Sequence, residues 1–156
     1  MRQLLAEGKS QAFLLSGPSG TGKTTLARIA ASSKQCQILD FEAAKFTGVD
    51  DMRVITNGLD YRAFGKSGNR AIIVDECHRL SKNSWDLLLK PIEEPPPHVF
   101  WFFCTTELGK VPAAIKTRCS SFELKPVPDK ELSDLIYDVI DTEKSKVPDS
   151  IVDLIV

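Results

Sequence analysis

Compact apolar runs alternate along this chain with stretches in which apolar residues recur every three or four positions. The runs at 12–16 (AFLLS), 36–40 (CQILD), 71–75 (AIIVD), 98–106 (HVFWFFCTT) and 120–124 (SSFEL) read as strands. The third is a continuous run rich in β-branched residues, the kind buried on both faces of a parallel sheet. Between the strands, Leu26, Ala27, Ile29 and Ala30 mark a helix, and residues 50–64 predict another with Asp50 as its cap. Residues 81–94 (SKNSWDLLLKPIEE) predict a helix begun by Ser81 and ended by Pro95, Pro96 and Pro97. Short helices are expected at 3–7 and from Pro112. Strands alternating with helices predict an α/β domain with a parallel five-stranded sheet covered on both faces.

The pattern changes after residue 126. Leu132, Leu135, Ile136, Val139 and Ile140 form one stripe on a helix starting near Asp129. Residues 148–156 (PDSIVDLIV) then begin a further helix and stop while still apolar. The expected division is a core at 1–126 and the start of a helical unit at 127–156. An exposed Leu-Ile-Val end predicts that the chain is a fragment, or a shortened relative, of a longer protein.

Composition narrows the partners. A chain of 156 residues, 42% of them apolar, can bury a core of its own. Lys plus Arg is 20 against 21 Asp plus Glu, so no overall basic charge advertises a polyanion. Any contact with nucleic acid then has to come from a local patch or from an assembly. Cys36, Cys77, Cys104 and Cys119 form no CxxC pair and no signal peptide precedes them, which predicts reduced thiols in the cytoplasm. No apolar run is long enough for a bilayer, so no membrane partner is expected.

Chemistry enters between the first strand and its helix. GPSGTGKTT comprises Gly17, Pro18, Ser19, Gly20, Thr21, Gly22, Lys23, Thr24 and Thr25, and it fits G-x-x-x-x-G-K-[ST]. Glycines let the backbone curl until successive N–H groups face a phosphate, and the adjoining helix adds its dipole. Lys23 is the cation for the β- and γ-phosphates of ATP, and the Thr24 hydroxyl is a ligand for Mg²⁺. Asp75 closes a buried strand where a second acid would hold the Mg²⁺ water shell. Glu76, one residue on, is the candidate to orient or deprotonate the attacking water. Cys77 and His78 lack neighbours at ligand spacing, so Cys77 is expected to pack and His78 to lie behind the site or at the surface.

The letters DECH (75–78) are those of a helicase box, but helicases need strand-binding motifs before the box and a second ATPase-like domain. Only one strand–helix unit separates loop from box here. The stretch from the box to residue 124 resembles the AAA+ ATPases of DNA clamp loaders instead, in particular the gamma/tau subunits of bacterial DNA polymerase III. The residues carrying the likeness are Asp75, Glu76 and His78; Leu88, Leu89 and Lys90; Glu93, Glu94, Pro95 and Pro96; Thr105 and Thr106; and Thr117, Arg118 and Cys119. The stretch 39–53 (LDFEAAKFTGVDDMR) is similar as well, and the likeness runs from about Gln11 to Leu135.

That resemblance implies a P-loop NTPase of the RecA-like AAA+ class, with residues 127–156 as the start of its lid, from a bacterium or a bacterial virus. It implies Thr106, rather than Thr105, as the sensor polar group at the γ-phosphate. It also implies Arg118 as the arginine finger that completes a neighbour's site. The expected activity is Mg²⁺-dependent ATP hydrolysis driving subunit rearrangement in clamp loading, slow in the isolated chain. The partners would be other AAA+ clamp-loader subunits, a sliding clamp, and primer-template DNA reached through the assembly. Two alternatives stay open: a nucleotide-binding module without turnover, and a loader of another replication cargo such as a helicase. Gamma/tau relatives carry a four-cysteine zinc module after the first helix; only KQCQ (34–37) stands here, and no zinc is expected.

Overall fold

The computed structural model describes residues 1–6, 8, 10–45, 49–145, 147–148 and 151–152, with the backbone alone at 2, 6 and 51. A short helix α1 (Arg2–Ala6) leads to β1 (Ala12–Ser16), α2 (Lys23–Ser33), β2 (Gln37–Glu42) and α3 (Val49–Asn57). Then come β3 (Arg70–Asp75), α4 (Lys82–Glu93), β4 (Val99–Thr105), α5 (Ala113–Lys116), β5 (Ser120–Glu123) and α6 (Asp129–Thr142). The five strands form one parallel sheet in the order β2-β3-β4-β1-β5.

Burial follows position in that order. Every residue of the inner strands β1 and β4 is buried, as is β3 except at its ends, whereas the outer β2 and β5 are partly open. Parallel strands buried on both faces leave no polar alternation, which is why these runs read as continuous apolar blocks. One face packs Leu14, Trp101 and Phe103 against Met52, Trp85, Leu88, Ile92 and Ile115 of α3, α4 and α5. The opposite face packs Phe13, Leu15, Ile73 and Phe102 against Leu5 and the small residues Ala27, Ala30 and Ala31 of α1 and α2. Alanines let α2 lie close to the sheet, which fixes the loop at its start.

Two expectations are corrected. α3 stops at Asn57, not at 64, because Gly58 comes next and its N–H turns back to the Ile55 carbonyl at 3.3 Å. The periodic apolar residues beyond belong to a loop that buries Leu59 and Ala63 and leaves Tyr61 and Phe64 exposed. Asp50 does not precede α3 but lies in its first turn, where it pairs with Arg53 at 3.0 Å. Ser81 does cap α4: its hydroxyl accepts from the Ser84 N–H at 3.1 Å.

The chain divides into two compact units, Met1–Leu124 and Lys125–Val156. In the second, α6 starts at Asp129, and Leu135 and Val139 of its stripe are exposed. The further helix expected over 148–156 falls mostly outside the described residues. Among the described residues, no helix is long and apolar enough to cross a membrane.

Candidate active site

The loop after β1 is strapped at its root. The Gly17 N–H donates to the Thr105 carbonyl of β4, and the Leu124 N–H donates to the Ser16 carbonyl at 2.7 Å. Gly17 has φ 146°, and a Cβ there would sit 2.2 Å from the Leu124 carbonyl oxygen, so a side chain has no room. Gly20 and Gly22 take φ near 80°, curling the loop before Gly22 caps α2. The first N–H groups of α2, those of Lys23, Thr24 and Thr25, have no partner within the helix. They border a cleft of about 300 Å³ lined by Ser19, Gly20, Gly22, Lys23, Thr24, Thr25, Asp75 and Glu76. Pro18 and Thr21 shape the loop itself, the Thr21 hydroxyl donating to the Pro18 carbonyl at 2.9 Å.

Lys23 is buried and its ammonium donates to the Gly17 and Pro18 carbonyls at 2.9 and 2.7 Å. An ammonium has three N–H donors, so one is left for a phosphate oxygen. The Thr24 hydroxyl donates to Asp75 Oδ2 at 2.8 Å. These are hard oxygen donors in contact at the base of the cleft, a set suited to Mg²⁺ and unsuited to a soft metal.

Glu76 occupies the left-handed region with φ 49°, which turns the chain straight from β3 into a short 3-10 turn, Cys77–Arg79. Its own N–H donates to Asp75 Oδ1 at 2.9 Å. Its carboxylate Oε2 accepts from the Thr106 hydroxyl at 3.1 Å and lies 3.2 Å from His78 Nδ1. Thr105, by contrast, is buried under the site, 3.0 Å from His78 Nδ1, while its hydroxyl accepts from the Glu107 N–H. The geometry thus brings Thr106 and not Thr105 to Glu76.

His78 is the residue that ligand spacing undervalues. Its side chain is only 6% exposed and bridges Glu76 to Glu107, whose Oε1 lies 3.3 Å from Nε2. The Lys110 ammonium, hydrogen-bonded to Glu107, holds that carboxyl below its ordinary range. The signal is the fourth letter of the box; its partners Thr105 and Glu107 lie some thirty positions downstream, so spacing alone could not reveal them. Cys77 packs with no exposed surface, and burial pushes its thiol well above the ordinary value.

Arg118 is not in this cleft. Phe13 pairs with Ser120, so Arg118 lies just before β5 at the amino end of the sheet. The loop sits at the carboxyl end, the full length of β1 away, about 16 Å for five residues. No rotamer of Arg118 spans that distance to its own loop. The four cysteines are all free, and among the described residues no group of three or more potential ligands is assembled for a metal.

Residues 41–128, more than half of the chain, match the family described as DNA polymerase III, delta subunit. The chain belongs to this family. The match to the delta-subunit family runs from β2 to the start of the second unit and takes in Asp75, Glu76, Thr106 and Arg118, but not the loop. Relatives cover the rest. The gamma subunit of Buchnera aphidicola subsp. Schizaphis graminum is 33% identical over 83% of this chain and 42% of its own length. The tau subunit of Bacillus subtilis strain 168 is 30% identical over 97% of this chain and 31% of its own. The chain therefore spans less than half the length of the curated relatives it matches.

Among solved structures, a RuvB mutant of Thermotoga maritima superposes with a TM-score of 0.77 at 26% identity, covering 97% of this chain and 50% of that one. A DNA polymerase III gamma subunit-related protein of the same organism gives a TM-score of 0.72 at 22% identity over 88% of this chain and 49% of its own, which supports the fold. The clamp-loader-like AAA+ class expected from the motifs is thus shown.

Proposed function

We propose that this chain is the ATP-hydrolysing module of a DNA sliding-clamp loader, acting beside other AAA+ subunits on a clamp and primer-template DNA. The observation that carries this reading is the split between the two ends of the sheet. Loop, Asp75 and Glu76 share one cleft with Thr106 bonded to Glu76, while Arg118 lies at the opposite end of the sheet from its own loop, which supports a role for it in trans.

In this reading the N–H groups of the loop and α2 and the third Lys23 donor bind the β- and γ-phosphates of ATP. Thr24 and Asp75 hold Mg²⁺, which when bound neutralises charge on the phosphate oxygens. Glu76 accepts the proton of the attacking water, and Thr106 orients that carboxylate through its hydroxyl. Arg118 stabilises charge on the neighbour's transferring phosphoryl group. Hydrolysis then changes how subunits contact one another, and that change opens or releases the clamp. The relatives named as gamma and tau subunits of DNA polymerase III support the replication setting.

ATP titration and steady-state hydrolysis on two variants of the full-length protein in its assembly, with and without DNA, test this. Lys23→Ala should lose ATP binding, because it removes the cation that meets the phosphates. Glu76→Gln should keep binding and lose turnover at least a hundredfold, since it preserves shape while abolishing proton affinity; general-base steps contribute about 10²–10⁴. Normal turnover in Glu76→Gln would remove it as the base. Binding without turnover in the parent assembly would make the chain a nucleotide-gripping module.

A further inference from the structure

Arg118 is tied down on its own chain. Its Nε and Nη2 both donate to Glu93 Oε2 at 3.1 Å, and its Nη1 donates to the Ala114 carbonyl at 2.9 Å. A guanidinium has five N–H donors in a rigid plane, so these contacts leave two for another acceptor. Glu93 is the last residue of α4, and Pro95 to Pro97 prevent the helix from continuing. The carboxylate is therefore anchored by an element whose inner face, through Trp85, Leu88 and Ile92, is locked in the core. A hollow of about 230 Å³ lined by Ser10, Gln11, Glu93, Pro95 and Arg118 marks the same end of the sheet.

We propose that Glu93 is the positioning residue for Arg118, fixing the guanidinium so that its two remaining donors meet a phosphoryl oxygen held by a neighbouring chain. The proposal rests on the trans role given to Arg118 above. A free arginine loses rotamer freedom when it engages a phosphate. The Glu93 tether removes that loss beforehand and sets the angle of approach. The pair does little for folding: the two side chains are 32% and 56% exposed, and solvated pairs add little stability. The acid serves the arginine rather than the fold.

The experiment measures ATP turnover of the full-length protein in its assembly, for the parent, Arg118→Ala, Glu93→Ala and Glu93→Gln. Glu93→Ala should lower kcat by about ten- to a hundredfold, the usual effect of misplacing a catalytic group by an ångström. Its KM for ATP should change less than kcat, because the loop and Lys23 that bind the phosphates stay intact in every chain while the finger acts on charge that develops during transfer. Glu93→Gln keeps one acceptor and should lose less. Mixing Glu93→Ala chains with Lys23→Ala chains should restore turnover, since the second supplies an intact finger to the first's intact loop. A structural defect in the Glu93→Ala chain would not be restored by mixing. Full turnover in Arg118→Ala, or none in the parent assembly, would overturn the trans reading and this proposal with it. Loss in Arg118→Ala with parental or higher turnover in Glu93→Ala would leave the trans reading standing and overturn the role of Glu93, as would failure of mixing to restore activity.

Discussion

Cys104 lies on β4, in the face packed by α1 and α2, with no exposed surface, and burial pushes its thiol from an ordinary 9.0 up to about 12. The consequence has a definite sign. Below pH 9 the thiol is protonated whether the chain is folded or unfolded, and the full stability is present. As pH rises from 9 towards 12, the unfolded chain releases the proton while the folded one keeps it, so stability falls by about 1.4 kcal/mol per pH unit for this group. Denaturant midpoints from pH 8 to pH 11 should therefore drop more steeply for the parent than for Cys104→Ala, and parallel slopes would refute the assignment. Cys119 is pushed up to about 12 in the same way and adds to the parental slope in both proteins. Single residues also mark what is legible at the site from sequence. Lys23, Thr24, Asp75 and Glu76 are readable because loop and box each sit in one contiguous stretch at the end of a strand. The place of His78 behind the site is readable from the same box, but its partners Glu107 and Thr105 are not, because only the fold brings them against it.

Among the elements, α4 joins the two ends of the proposed machinery, leaving the Glu76 turn at one end and delivering Glu93 at the other. Its start depends on Ser81, whose hydroxyl accepts from the Ser84 N–H and also lies 2.8 Å from the Ser84 hydroxyl. Ser81→Ala should lower stability by about 0.5–2 kcal/mol, the usual cost of losing such a cap. Chemical denaturation reads this directly, and an unchanged midpoint would mean that packing of Trp85 and Leu88 alone fixes the helix start. The cap is legible because it is local chemistry. The end of α3 misleads for the opposite reason: Leu59 and Ala63 continue an apolar rhythm, yet a loop and not a helix carries them into buried positions. The inner strands β1, β3 and β4 are legible because burial on both faces leaves one simple signature. Their order is not, since parallel partners far apart in sequence leave no mark on each other.

Across the whole molecule, the reach of its parts decides how it works. The cleft and Arg118 occupy opposite ends of one sheet, and no side-chain motion closes a gap of about 16 Å. On the proposed reading, a single chain holds both halves of the catalytic arrangement and unites them only with another chain, each lending its arginine to the next. Dilute chain should accordingly bind ATP and hydrolyse it slowly. Turnover per chain should climb as concentration rises or as assembly partners are added, because each new interface pairs a loop with a finger. The climb should reach about 10³-fold or more, the scale of arginine-finger effects in phosphoryl transfer. Arg118→Ala should match the parent when dilute and fail to climb, while an unaltered sedimentation profile shows that it still assembles. A turnover per chain that stayed constant from dilute to fully assembled parent would mean that each cleft works alone. Arg118 would then be left as a surface partner of Glu93 in the turn before β5.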